Sequence, residues 1–212
     1  MAGSKLDLAQ LFGAVENTLS QNKETLNQAD DYNHNHGDNM VEIFEVITQA
    51  MKEKQGAEAA DQLEYASQLL RRKANSGSAN LYAQGLSSAA NQFTGKELNP
   101  QNAITLVQAL MGGGASTAQA APKQTGSSLL GTLLGGLFGG KKQTQDSGIG
   151  ADDLIQLAAM FMQSQQGGEQ STLETLVSSV LSGSQMSGSA HREQSGKLVS
   201  STLMQMIASQ IK

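Results

Sequence analysis

Apolar residues recur at three- and four-residue steps along most of positions 1–110, the spacing that lines one face of an α-helix. Leu6, Leu8, Leu11, Phe12, Val15 and Leu19 make a first stripe, which ends at the polar pair Asn22 and Lys23. Met40, Ile43, Phe44, Ile47 and Met51 make a second, with Gly56 as its natural stop. Ala60, Leu63, Ala66, Leu69 and Leu70 form a third, closed by Arg71, Arg72 and Lys73, whose charges complement the end of a helix dipole. Leu81, Leu86, Ala89, Ala90 and Phe93 form a fourth that stops at Gly95. Asn99-Pro100 opens a fifth through Ile104, Val107 and Leu110, with proline at a favoured first-turn position.

The pattern then breaks. Residues 112–150 contain eleven of the 23 glycines, set among Ser, Thr, Gln and Ala, the composition of a flexible linker. Inside it, residues 129–138 (Leu-Leu-Gly-Thr-Leu-Leu-Gly-Gly-Leu-Phe) are apolar at nearly helical spacing. That segment is either a short helix laid onto the domain or a self-association element, and is too short to span a bilayer. Helical spacing resumes at Leu154, Ile155, Leu157, Ala158, Phe161 and Met162. It continues at Leu173, Leu176, Val177, Val180 and Leu181, where Ser171 and Glu174 form a capping-box pair. The chain closes with Leu198, Leu203, Met206 and Ile207. The prediction is an all-α bundle or barrel of about eight antiparallel helices. Residues 1–111 supply five, 112–150 interrupt them, and 151–212 complete the same domain.

Composition narrows the choice of function. With no cysteine, there is no disulfide framework, thiolate metal site or cysteine nucleophile. Two prolines and 4% aromatic residues argue against a many-stranded β protein. No apolar run reaches the roughly 20 residues of a membrane span, and the first eleven residues lack a basic-then-apolar signal, so a cytoplasmic chain is expected. A net charge of −5 argues against nucleic acid as partner.

Two stretches place glycine and hydrogen-bonding residues just before a predicted helix. One runs Asn33-His34-Asn35-His36-Gly37-Asp38-Asn39-Met40, the other Ala74-Asn75-Ser76-Gly77-Ser78-Ala79-Asn80. Free amides at such a helix start receive phosphate oxygens, although simple capping produces the same pattern. His34 and His36 could instead form half of a transition-metal site, but no third ligand is suitably spaced. His36 could also order its loop. Arg192, next to His191, could clamp a phosphate or simply be solvated. The run Arg71-Arg72-Lys73 either complements its own helix or adds a positive field for phosphate. The methionines at helical positions read as core filling.

These residues resemble the DhaL domain family, the ATP-side component of dihydroxyacetone kinase and of fatty acid kinase. Leu26-Asn27 is similar to the family's lead-in, and His36-Gly37-Asp38-Asn39-Met40 to its H-G-x-N-M element. Asn75-Ser76-Gly77-Ser78 resembles its phosphate-contacting turn, and Gln194-Ser195-Gly196-Lys197 stands where the family has D-P-G-A. The resemblance covers about residues 20–110 well and 150–212 loosely. It implies a helical barrel with a nucleotide at one end. Its phosphate contacts would come from His36, Gly37, Asn39, Met40, Asn75, Ser76, Gly77 and Ser78. It also implies Mg²⁺ and ATP or ADP, and a separate acceptor-binding kinase subunit. The family's three metal aspartates correspond to Asp30 (across a two-residue gap), Asn33 and Asn35, and its C-terminal aspartate to Gln194. Losing those carboxylates removes charge that Mg²⁺ needs, so weak or absent kinase activity is expected. The alternative function is a non-enzymatic helical interaction scaffold. A lipid- or acyl-binding barrel is a third reading.

Overall fold

The computed structural model describes residues 6–100, 102–112, 184 and 188–209. The segment 129–138 and the helices expected over 154–181 lie outside the described residues. Among those described there are seven helices and no strand, so the chain is all-α. The helices are α1 (Leu8–Gln21), α2 (Lys23–Gln28), α3 (His36–Glu53), α4 (Ala59–Lys73), α5 (Gly77–Phe93), α6 (Ala103–Leu110) and α7 (Ala190–Ser209).

Each apolar stripe turns inward, as expected of an amphipathic helix. Phe12, Phe44 and Tyr82 meet at the centre from α1, α3 and α5, with ring centroids 6.3 Å apart for Phe12–Phe44 and 5.1 Å for Phe44–Tyr82. Leu203 and Ile207 of α7 are buried in the same cluster, so the C-terminal helix returns to the core of the N-terminal ones. Helix neighbours run α1, α3, α4, α5, α6, α7 and back to α1, which closes the packing into a ring. Short α2 lies against α3.

The observed boundaries change the chemistry. α3 begins at His36 and α5 at Gly77, earlier than the apolar residues Met40 and Leu81 suggest. Gly37, Asp38 and Asn39 are therefore first-turn residues, and so are Gly77 and Ser78. α7 begins at Ala190, so His191, Arg192, Ser195 and Gly196 lie within the helix and not in a loop before it. α6 starts at Ala103, after a turn in which Asn99 and Asn102 cap each other, the Asn102 amide donating to Asn99 Oδ1 at 3.1 Å and the Asn99 amide to Asn102 Oδ1 at 2.9 Å. Pro100 precedes that helix and is not part of its first turn. α2 went unread in the sequence because its six residues contribute a single buried apolar side chain, Leu26.

Candidate functional site

Three helix starts meet at one end of the ring, each bringing a stretch singled out in the sequence. His36 is the first residue of α3, and His191 and Arg192 follow the first residue of α7. The imidazoles of His36 and His191 lie 4.6 Å apart between centroids. Arg192 crosses to the start of α5, where its Nη2 would stand 2.8 Å from a Cβ placed on Gly77. Glycine there leaves the guanidinium room to lie against the first turn of α5.

His36 is buried, and its Nε2 is 2.9 Å from Ser195 Oγ. Ser195 also donates to the Arg192 carbonyl at 3.0 Å. Burial, then the positive neighbours His191 and Arg192, pull the His36 pKa down to about 4, while Asp30 opposes them. His36 is therefore neutral near pH 7. His191 sits between two partners, with Nδ1 3.9 Å from Asp30 Oδ1 and Nε2 3.1 Å from Ser189 Oγ.

Asp30 organises the loop that precedes α3. Its side chain is only 7% exposed and accepts the Tyr32 amide at 3.2 Å. Burial acts to raise its pKa. The Tyr32 amide, the charge of His191 and the backbone amides of Asn35 and Asn33 outweigh burial and hold the carboxyl below its usual range. Above this anchor the loop is exposed, with Tyr32 91% accessible and His34 held at φ 56°. His34 and His36 point to different surroundings, one exposed and one buried, so they form no ligand pair.

The starts of α3 and α5 differ in what their amides meet. Asn27 of α2 places Oδ1 2.7 Å from the Gly37 amide and 3.2 Å from the Asp38 amide, and its Nδ2 donates to Asp38 Oδ2 at 2.9 Å. Lys23 pairs with Asp38 at 3.1 Å. Asn27 and Lys23 together hold the Asp38 carboxyl below its usual range. A Cβ at Gly37 would collide with the Lys23 carbonyl, so glycine here serves the close approach of α2 to α3. At α5, Ser76 caps the Ala79 amide at 3.1 Å. The Gly77 and Ser78 amides have no acceptor among the described residues. Asn75 is exposed, Ser78 is buried, and Met40 is part of the hydrophobic core. Asn39 donates to Asn35 Oδ1 at 2.8 Å.

The residues that the resemblance assigns to Mg²⁺ do not form a fitting donor set. Asp30 is committed to backbone amides, Asn33 Oδ1 accepts the Asn35 amide at 3.3 Å, and Asn35 Oδ1 accepts from Asn39. Among the described residues no group of three His, Cys, Asp or Glu is placed to hold a metal. No helix among them is long and apolar enough to cross a membrane.

This end brings together the positive Arg192 and the negative Asp30, which lies 3.9 Å from His191. Arg192 Nε is buried and has no hydrogen-bond partner among the described residues. Of the other acids near the helix starts, Asp38 is paired with Lys23 and Glu193 with Lys197 at 2.8 Å. Cations at helix N-termini oppose the dipole, so the electrostatic complement of this end is an anion. A separate groove between α1 and α3, lined by Glu16, Glu45, Thr48 and Lys52 among others, shares none of these residues and carries two acids. The sequence missed the Ser195–His36 pair, which spans 159 positions, and the Asn27 cap. Ser189, just before α7, was the available signal that this helix starts well ahead of Leu198. No family model, curated protein or solved structure matches the chain.

Proposed function

We propose that this end of the helical ring binds the phosphate of a nucleotide or other phosphorylated small molecule. The chain would then be a diverged DhaL-like, ATP-side component of a phosphotransfer system, cytoplasmic and with weak or lost kinase activity. The observation that carries this reading is the placement of Arg192 against the first turn of α5, where the Gly77 and Ser78 amides have no acceptor among the described residues. Guanidinium and helix-start amides are both phosphate donors, and together they surround an oxyanion from two sides. His191 lies beside them, its ring nitrogens facing Asp30 and Ser189.

The same geometry supports weak catalysis. Phosphoryl transfer needs positive charge on the transferring group and an in-line nucleophile, both usually organised by metal ions. The Asp30, Asn33 and Asn35 oxygens are already occupied by protein donors. Ser195 and His36 are both buried, which keeps this hydroxyl–imidazole pair away from a substrate and favours a role in fixing α7 against α3.

Calorimetric titration of the full chain with ADP and with inorganic phosphate tests the proposal. Binding by the wild type, weakened about tenfold or more in Arg192→Gln, is the expected result for loss of a charged hydrogen-bond donor. Absence of binding to both ligands would leave the helical scaffold as the better reading.

A further inference from the structure

Polyphosphate ligands carry several negative charges, and a site must neutralise them with metal ions or with its own cations. Which of these this chain uses is an extension of the phosphate reading and rests on it. Mg²⁺ demands a near-octahedral oxygen shell and usually takes one or two carboxylates from the protein. Asp30 is the one carboxylate available at the assigned positions, and it is buried, takes the Tyr32 amide at 3.2 Å and faces His191 at 3.9 Å. To reach a metal it would have to give up the amides that hold the loop before α3. Asn33 and Asn35 bring no charge, and their side-chain oxygens accept from Asn35 N and Asn39 Nδ2.

The protein's own cation lies at the start of α5. The Arg192 Nη2 lies over Gly77, and among the described residues its buried Nε has no partner and the side chain forms no ion pair. His191 stands next to it in the chain and against His36 in space. We infer that the chain binds its phosphate ligand free of divalent metal, with Arg192 supplying the positive charge. Mg²⁺ then acts against binding. It chelates the phosphate oxygens that Arg192 and the α5 amides need, and its complex adds positive charge beside a guanidinium with no counter-ion among the described residues.

The test is calorimetry on the full chain with ATP, once in excess EDTA and once in saturating Mg²⁺, repeated with pyrophosphate. The expected result is that Mg²⁺ weakens ATP binding about tenfold or more, the size of one lost charge-assisted contact. In EDTA, Arg192→Gln should show a loss of similar size and Arg192→Lys a smaller one, with circular dichroism confirming the helical fold of each variant. Equal or tighter binding with Mg²⁺ overturns the metal-free inference and leaves the phosphate reading standing. No binding of ATP or pyrophosphate in either condition overturns both. The wild-type comparison needs no variant, so the inference stays testable if Arg192→Gln fails to fold.

Discussion

The first turns of α3 and α5 are made of the same kinds of residue, a glycine among Asn, Ser, His and Asp, yet they meet different partners. At α3 the amides of Gly37 and Asp38 go to Asn27, and Lys23 neutralises Asp38. At α5 the Ser76 hydroxyl takes one amide, and Arg192 lies over Gly77. The glycines differ in the same way. Gly37 is required because another backbone passes against it, whereas at Gly77 the close group is the mobile end of the Arg192 side chain. A glycine before an apolar stripe thus identifies a crowded helix start, while the crowding group decides between structure and binding. At α3 that group is a neutral amide satisfying the turn from within the protein. At α5 it is a positive charge, which the helix dipole repels unless an anion lies with it.

The largest expected effect of breaking this comparison is at the closed start. Gly37→Ala drives a Cβ into the Lys23 carbonyl and should cost about 3 kcal/mol as α2 is pushed off α3, read as a fall in denaturant midpoint. Acid should act on the same helix end through His36. Its folded-state pKa is about 4 against 6.5 for the exposed side chain, so the unfolded chain takes up the proton first. Stability is therefore full above pH 6.5 and declines between pH 6.5 and 4, by about 3 kcal/mol at most. Asp30 is shifted in the same direction, downward, and its contribution is lost only on further acidification, through a folded-state pKa below 3.8. Unfolding curves measured across this range for His36→Asn should lose the upper part of the pH dependence.

Asn27→Ala removes the acceptor for two amides and should cost about 1–2 kcal/mol, a typical cap loss, with phosphate binding unchanged. Gly77→Ala gives the converse result. Alanine is the better helix former, so stability should stay within about 1 kcal/mol of wild type. Its Cβ displaces the Arg192 guanidinium, however, and phosphate affinity should fall about tenfold in the same calorimetric titration. Loss of stability in one variant and of binding in the other would sharpen the division between the two starts. Loss of both together in each would erase it.

How far the sequence revealed this arrangement depended on length and periodicity. α3, α4 and α5 repeat their apolar residues over several turns, and their cores were legible as Ile43-Phe44-Ile47, Leu63-Ala66-Leu70 and Leu86-Ala89-Phe93. Helix starts were not legible, because first-turn side chains face neighbouring helix ends or solvent and carry no stripe. α3, α5 and α7 each begin before their first apolar signal for this reason. At the site, the polar stretches around Gly37 and Gly77 were visible as chemistry, and so was Arg192. The amide of Asn27 was not, since it belongs to a six-residue helix with one buried apolar side chain. Nor could the sequence pair His36 with Ser195, because only ring closure by α7 brings the two together.

Amide chemical shifts of the labelled full chain during titration with inorganic phosphate test the central claim most directly. The account predicts that the Gly77 and Ser78 amides and the Arg192 side-chain Nε–H move together along one binding curve, while the Gly37 and Asp38 amides, held by Asn27, stay in place. Movement of Gly37 and Asp38 without Gly77 and Ser78, or no movement at either helix start, would contradict it.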